Sequence, residues 1–315
     1  MLRLVGLAKT HTIRNREDHQ NHDEQQNNFL SHEIKLASFG GRVTAGSHRF
    51  PFSLVLPAGL PSSMEKKFNS GGCSIAYGFE ARLHRPGFLK FDSKATSGLT
   101  VLSRPQEITV FTPALVGPET QTVRTCCCFN SGSMCIGFEA DRSVVGINEP
   151  LSLTVVAHND SLSVVNSIHI AIVQVCTWYA RGTKESKTRT IASLTVPWPQ
   201  LDEVQRGAAE NVINRRKAAA VEDAARLYFQ DLVDAGAGTR YELSVPDDSL
   251  LTVQTSLIDV RHSLDVRFKT PAFTTAPDVS MPLRVQAETV ESGSPVEAKP
   301  VGLPSAVAVP YATTV

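Results

Sequence analysis

The side chains able to do chemistry fall into four groups, and the cysteines come first. They stand at 73, 126, 127, 128, 135 and 176, three of them consecutive. In an extended chain neighbours point to opposite faces, so Cys126, Cys127 and Cys128 converge poorly on one ion, and two pairs separated by a loop are missing. Adjacent thiols also suit a framework of paired bridges badly, so reduced cysteines are expected. Structural use is the leading reading, with reversible acylation near a membrane and metal or redox chemistry as alternatives. The second group is basic: Arg82, His84, Arg85, Lys90 and Lys94, with Lys66 and Lys67 nearby. Such a set can attract an acidic or phosphorylated segment, although a solvated face is the ordinary role of surface cations. Third, His158, Asn159 and Asp160 make a compact polar triplet that turn chemistry explains, and His262 interrupts an apolar series as a core or rim histidine. Fourth, the last residues are Thr313, Thr314 and Val315. Thr313 and Val315 match the pattern by which a terminal carboxylate and strand are captured by a PDZ-like sheet.

No nucleophile elbow, phosphate loop or paired histidines at zinc spacing occurs, so neither an enzyme nor a cofactor or metal site is expected. The 31 basic side chains equal the 31 acidic ones, which leaves no broad positive field for nucleic acid. With 42% hydrophobic residues and a mean hydropathy of -0.09, the composition points to a soluble, globular chain. Its 315 residues suffice for two domains. No apolar run approaches the roughly 20 residues of a membrane-crossing helix. The opening MLRLVGLAKTHTIRNR carries bases with no acid before Glu17, a faint likeness to a mitochondrial transit peptide, while Arg3 interrupts any secretory apolar core.

The elements that must position these groups read as β-strands. Phe50, Phe52, Leu54 and Leu56 occupy every second position and are expected to face one core, with Pro51 marking an edge strand. Cys73, Ile75, Tyr77, Phe79, Ala81 and Leu83 form the longest such series. Leu151, Leu153, Val155 and Ala157, then Ile168, Ile170 and Ile172, then Ile258, Val260, Leu264 and Val266 repeat the same period. Residues 9 to 28 are polar, so 1–29 is expected as a flexible arm. Residues 201–234 are rich in Ala, Glu, Arg and Gln without proline, which predicts a helical insertion. Its apolar stripe changes phase between Val212 and Val221, and Gly236 is a plausible terminator. Residues 287–315 are expected as a flexible tail.

The stretch GSHRFPFSLVLPAGLPSSMEKKF from Gly46 to Phe68, followed by GGCSIAYGFEARLHRP from Gly71 to Pro86, resembles the amino-terminal domain of the α-arrestins, the arrestin-domain-containing proteins. The matching residues are Phe50, Pro51, Phe52, Leu56, Pro57, Pro61, Ser62, Ser63, Tyr77, Ala81, Leu83, Arg85 and Pro86. CCCFNSGSMCIGFEADRSVVGINEPLSLTVVAHNDSLSVV resembles the passage between that family's domains and the first strands of the second, through Asp141, Arg142, Gly146, Glu149, Asn159 and Ser161. VPDDSLLTVQTSLIDVRHSLDV is similar to the final strands, with His262 at a position usually tyrosine.

The resemblance implies an all-β fold of two immunoglobulin-like β-sandwiches: an incomplete amino-terminal one at 30–116, an interdomain linker at 117–135, and a carboxy-terminal one at 136–286 carrying the helical insertion. A missing half sheet in the first would have to be covered by another chain or segment. The implied function is that of an adaptor, not an enzyme. It would bind cytoplasmic segments of membrane proteins, phosphorylated ones included, and link them to endocytic or sorting machinery, in the cytoplasm and peripherally at the plasma membrane or endosomes. Arg82, Arg85, Lys90 and Lys94, with Thr313 and Val315, are the partner-contact candidates. A retromer-like sorting subunit of the same fold and a cysteine-dependent redox or metal enzyme are the alternatives. None of the 18 prolines adjoins another, so the proline-proline-x-tyrosine motif by which many α-arrestins recruit ubiquitin ligases does not occur in these residues.

Overall fold

The computed structural model describes residues 1–16, 19–40, 45–84, 92–103, 113–125, 129–198, 212, 224–272 and 274–287. Its amino-terminal layer is a five-stranded antiparallel sheet. Strands β1 (Leu2–Arg16) and β2 (His19–Ile34) form a long hairpin, followed by β3 (Met64–Phe68), β4 (Gly71–Leu83) and β5 (Ser93–Leu99). The far side of β1 pairs with β4, and β3 and β5 pair with successive halves of the other edge of β4. The period of two in β1 turns Leu2, Leu4, Ala8, Thr10 and Thr12 inward. Gly6 belongs to the same row, where a Cβ would come within 2.9 Å of both the Leu30 Cβ and the Phe29 ring.

This hairpin corrects the expectation of a flexible arm at 1–29. The polar residues of β2 can fold because β2 is the sheet's edge: its backbone pairs with β1 while His22, Gln26, Asn28 and His32 stay exposed, and Phe29 and Leu30 pack on the core. The expected strand through Phe50 is also corrected. Residues 51–57 pair with nothing in a ladder, and Phe50, Phe52 and Leu56 are exposed. Pro51 and Pro57 lack donors, and Phe50 packs edge-on against Phe39 and Phe52 against Phe79 instead of both facing one core.

The carboxy-terminal domain continues with β6 (Ala114–Thr125), β7 (Phe129–Ala140), β8 (Val144–Gly146), β9 (Pro150–Ser161), β10 (Ser167–Ala180) and β11 (Thr183–Pro197). After these come helix α1 (Ala224–Leu232), one wider turn over Val233–Ala237, and β12 (Gly238–Ser244), β13 (Val253–Gln254), β14 (Ile258–Lys269) and β15 (Asp278–Gln286). A six-stranded sheet runs β11-β10-β14-β15-β8 with β13 beside β14, and a four-stranded sheet runs β12-β9-β7-β6. The expected linker at 117–135 is therefore corrected as well, since most of it lies in β6 and β7 of the second sandwich. Of the predicted insertion, α1 is helical and lies between β11 and β12; residues 201–211 and 213–223 fall outside the described residues, as does the predicted tail from 288 on.

One sheet face serves two cores. Along β10, Ile168, Ile170, Ile172, Gln174, Cys176 and Trp178 stand opposite Phe268, Val266, Leu264, His262, Val260 and Ile258 of β14. The first three rows pack against Phe138, Leu151 and Leu153 of the four-stranded sheet. The last two rows pack against Ala8, Cys73, Ile75 and Tyr77 of the amino-terminal sheet. The architecture is thus all-β with two layered sandwich cores, and among the described residues the second face of the first core is supplied by β10 and β14. That is how the inner face of the amino-terminal sheet is covered from within the chain.

Candidate functional site

At the junction of the two layers the chain leaves a cavity of about 520 Å³. Its walls come from Lys9, Thr10 and His11 on β1, Glu24, Gln25 and Gln26 on β2, Glu65, Lys66 and Lys67 on β3, Cys73 and Ser74 on β4, and Arg181. Arg181 and Gly182 make the two-residue turn between β10 and β11, with φ of 45° and 79°. Two successive positive φ values match the strand twist in such a hairpin, and glycine relieves the second position. The turn is pinned under the first sheet: the Arg181 N–H donates to Gln25 Oε1 at 2.7 Å, and Thr10 Oγ1 donates to the Tyr179 carbonyl at 2.6 Å. Beside it the Trp178 Nε1–H donates to the His11 carbonyl at 3.0 Å, and the indole stacks on Phe68 at 4.8 Å and 5°.

The cavity is electropositive by count, with Lys9, Lys66, Lys67 and Arg181 against Glu24 and Glu65. Lys67 and Glu65 pair at 3.0 Å, but both are largely exposed, so that contact contributes little. Lysines from two strands and an arginine from the other domain can meet a carboxylate-rich or phosphorylated segment with charge-assisted hydrogen bonds.

The predicted basic cluster is arranged differently. Arg82 on β4 and Lys94 on β5 are register partners, and both reach Glu80, Lys94 Nζ at 2.7 Å. Lys94 and then Arg82 hold the Glu80 carboxyl below its usual range. The triad therefore keeps one surplus positive charge, not two. His84 lies 3.1 Å from Asp92. Arg85, Lys90, Thr313 and Val315 lie outside the described residues.

Cys126, Cys127 and Cys128 are likewise outside them, and no metal-holding group of His, Cys, Asp and Glu occurs among the described residues. Cys135 packs under α1, 3.5 Å from Tyr228 Oη, with Phe229 and Leu232 completing that contact. The stripe of Tyr228 and Leu232 thus docks on the chain's own sandwich. His158 is buried within β9 and not in a turn, while Asn159 shapes the turn that follows by accepting from Ser161 N–H at 3.0 Å and donating to the Ser163 carbonyl at 2.9 Å.

Several of the residues that carried the resemblance are structural fasteners. Ser63 Oγ accepts from Val101 N–H at 3.0 Å and Ser62 Oγ from Ser103 N–H at 2.8 Å, while Tyr77 Oη donates to the Pro61 carbonyl at 2.6 Å. Burial pushes the Tyr77 phenol up to about 12. Arg142 donates to the Pro150 carbonyl at 2.7 Å and lies 3.7 Å from Glu149, which itself accepts from Gly146 N–H at 3.0 Å.

Sequence reasoning missed the cavity because β1 and β2 looked unstructured. The alternation of Leu2, Leu4 and Ala8, together with the Arg181-Gly182 turn, was the available signal.

A two-domain β frame whose layers meet over a polar, cation-lined cavity defines a binding scaffold. Family models agree: residues 2–106 match the arrestin (or S-antigen) N-terminal domain and residues 130–288 match the arrestin (or S-antigen) C-terminal domain. The chain belongs to the arrestin family. Among the described residues no helix is long and apolar enough to cross a membrane.

Proposed function

We propose that this protein is an adaptor that binds acidic or phosphorylated cytoplasmic segments of membrane proteins and couples them to endocytic or sorting machinery, working in the cytoplasm and peripherally at membranes. The observation that carries the reading is the cavity at the domain junction, where Lys9, Lys66, Lys67 and Arg181 outnumber Glu24 and Glu65. A segment bound there touches both domains at once, so cargo occupancy is felt by the whole frame. Shape and charge suffice for this work, and no reactive side chain is called upon. Arg82 on β4 and Lys94 on β5 form a second contact, to which Arg85 and Lys90 add basic side chains in the sequence between them, and Thr313 and Val315 match the terminal pattern that a PDZ-like partner captures.

The test is fluorescence titration of the full chain with a peptide in phosphorylated and unphosphorylated forms. The phosphorylated form should bind more tightly, and Lys66→Glu should weaken it by about tenfold, the effect of losing one charge-assisted hydrogen bond. Equal binding of both peptides, unchanged by Lys66→Glu, would sink the cavity as the cargo site.

A further inference from the structure

Cys73 of β4 and Cys176 of β10 belong to different domains and face each other with their sulfurs 3.7 Å apart. Both are free thiols and both are buried, at 3% and 1% exposure. They lie 103 positions apart in sequence, and the layers that bring them together touch through Thr10, Trp178 and Phe68. Burial alone would make such thiols inert, because an oxidant must reach them. Here Cys73 also lines the junction cavity, beside Lys66, so the cavity reaches Cys73, with the Cys176 sulfur 3.7 Å behind it.

We propose that Cys73 and Cys176 are a redox modification site, at which a peroxide converts the two thiols to a disulfide that bolts the amino-terminal sheet to the carboxy-terminal sandwich. The hydrogen bond shared with Cys73, helped by the charge of Lys66, favours the Cys176 thiolate against the opposing effect of burial, while the hydrogen bond to Cys176 and burial keep Cys73 protonated. The Cys176 thiolate attacks one peroxide oxygen and breaks the O–O bond. With hydrogen peroxide this leaves a sulfenic acid and hydroxide, which takes a proton to become water. Cys73 sulfur then attacks the Cys176 sulfur, the S–S bond forms, the S–O bond breaks, and the Cys73 proton leaves with the hydroxyl as a second water. In sum, two thiols and one hydrogen peroxide give one disulfide and two waters. The sulfurs have to close from 3.7 Å to about 2.05 Å, the length of the bond. This inference stands whether or not the cavity binds cargo.

The consequence is mechanical: a cross-link between the layers removes their freedom to separate, and it closes a long loop in the unfolded chain. The experiment takes the full, reduced chain, treats it with hydrogen peroxide, alkylates the remaining thiols and maps peptides without reduction. The expected product is a peptide pair joined through Cys73 and Cys176 that separates on adding dithiothreitol, with the thermal midpoint raised by several degrees in the oxidised form only. Cys73→Ala and Cys176→Ala should each abolish both effects. The map of the unaltered chain decides the matter even if those variants fold poorly. Recovery of Cys73 and Cys176 as alkylated thiols at peroxide doses that oxidise Cys126, Cys127 and Cys128 would overturn the proposal. So would either residue appearing as a sulfinic acid, or bridged to another cysteine.

Discussion

His262 sits where two apolar cores meet. Its Nδ1 lies 2.9 Å from Thr252 Oγ1 and its Nε2 lies 3.3 Å from Gln174 Oε1, which also accepts from Leu250 N–H at 2.9 Å. These partners are neutral, and although the Leu250 backbone favours a positive ring, burial outweighs it and depresses the imidazole to about 4 from its ordinary 6.5. The sign of the pH dependence follows. Between pH 6.5 and 4 the unfolded chain binds a proton here that the folded chain refuses. Stability from this site is complete above about 6.5, falls as the pH drops through that window, and levels off below 4. By pH 5 the loss is about 2 kcal/mol. His262→Gln keeps polar contacts but cannot titrate, so denaturant midpoints of the two proteins should differ in their slope between pH 7 and pH 5. Parallel slopes would show that His262 is not the group responsible.

At the level of elements, the alternating series from Cys73 to Tyr77, Leu151 to Ala157, Ile168 to Ile172 and Ile258 to Val266 revealed the all-β fold, because a period of two survives any neighbour's sequence. The same series did not reveal where each strand ends its burial: Ala81 and Leu83 continue the pattern of β4 yet are exposed, since β4 runs past the carboxy-terminal layer that covers Tyr77. Edge strand β2 was illegible for the opposite reason, its stability lying in backbone pairing with β1, which leaves no apolar signature. The cavity depended on that hairpin and on register between distant strands, so only the cation types, not their convergence, could be read. Gly6 tests this account of β1 and β2. A valine there would drive Cβ into Leu30 and the Phe29 and Tyr77 rings, at 2.9 to 3.0 Å before any branch is added. Gly6→Val should raise amide exchange across β2 while β7 and β9 stay protected. Unchanged exchange in β2 would mean that the hairpin tolerates the methyls and is not packed as tightly as its geometry indicates.

The whole molecule is organised around one shared sheet, so its two domains cannot be equivalent folding units. The carboxy-terminal sandwich closes its own core with β6, β7, β9 and β12 across from the first rows of β10 and β14. The amino-terminal sheet, among the described residues, closes its core against the far rows of those same strands and against Leu250, Val253 and Leu257 beside them. Trp178 is the largest side chain in that second contact: it is fully buried, stacked on Phe68 and hydrogen-bonded to the His11 carbonyl. Trp178→Ala should therefore cost about 3–5 kcal/mol, the usual range for deleting a buried aromatic side chain. Because the loss falls on one interface, it should be unevenly shared. Hydrogen exchange should rise through β1, β3 and β4, limited proteolysis should release the amino-terminal sheet first, and the strands around Phe138 and Leu153 should keep most of their protection. Melting should then separate into two transitions, the earlier one belonging to residues before about 103. A single transition with uniform exchange would establish instead that the two cores unfold as one body. Cargo held in the cavity would then be gripped by a rigid frame and not by two parts able to part.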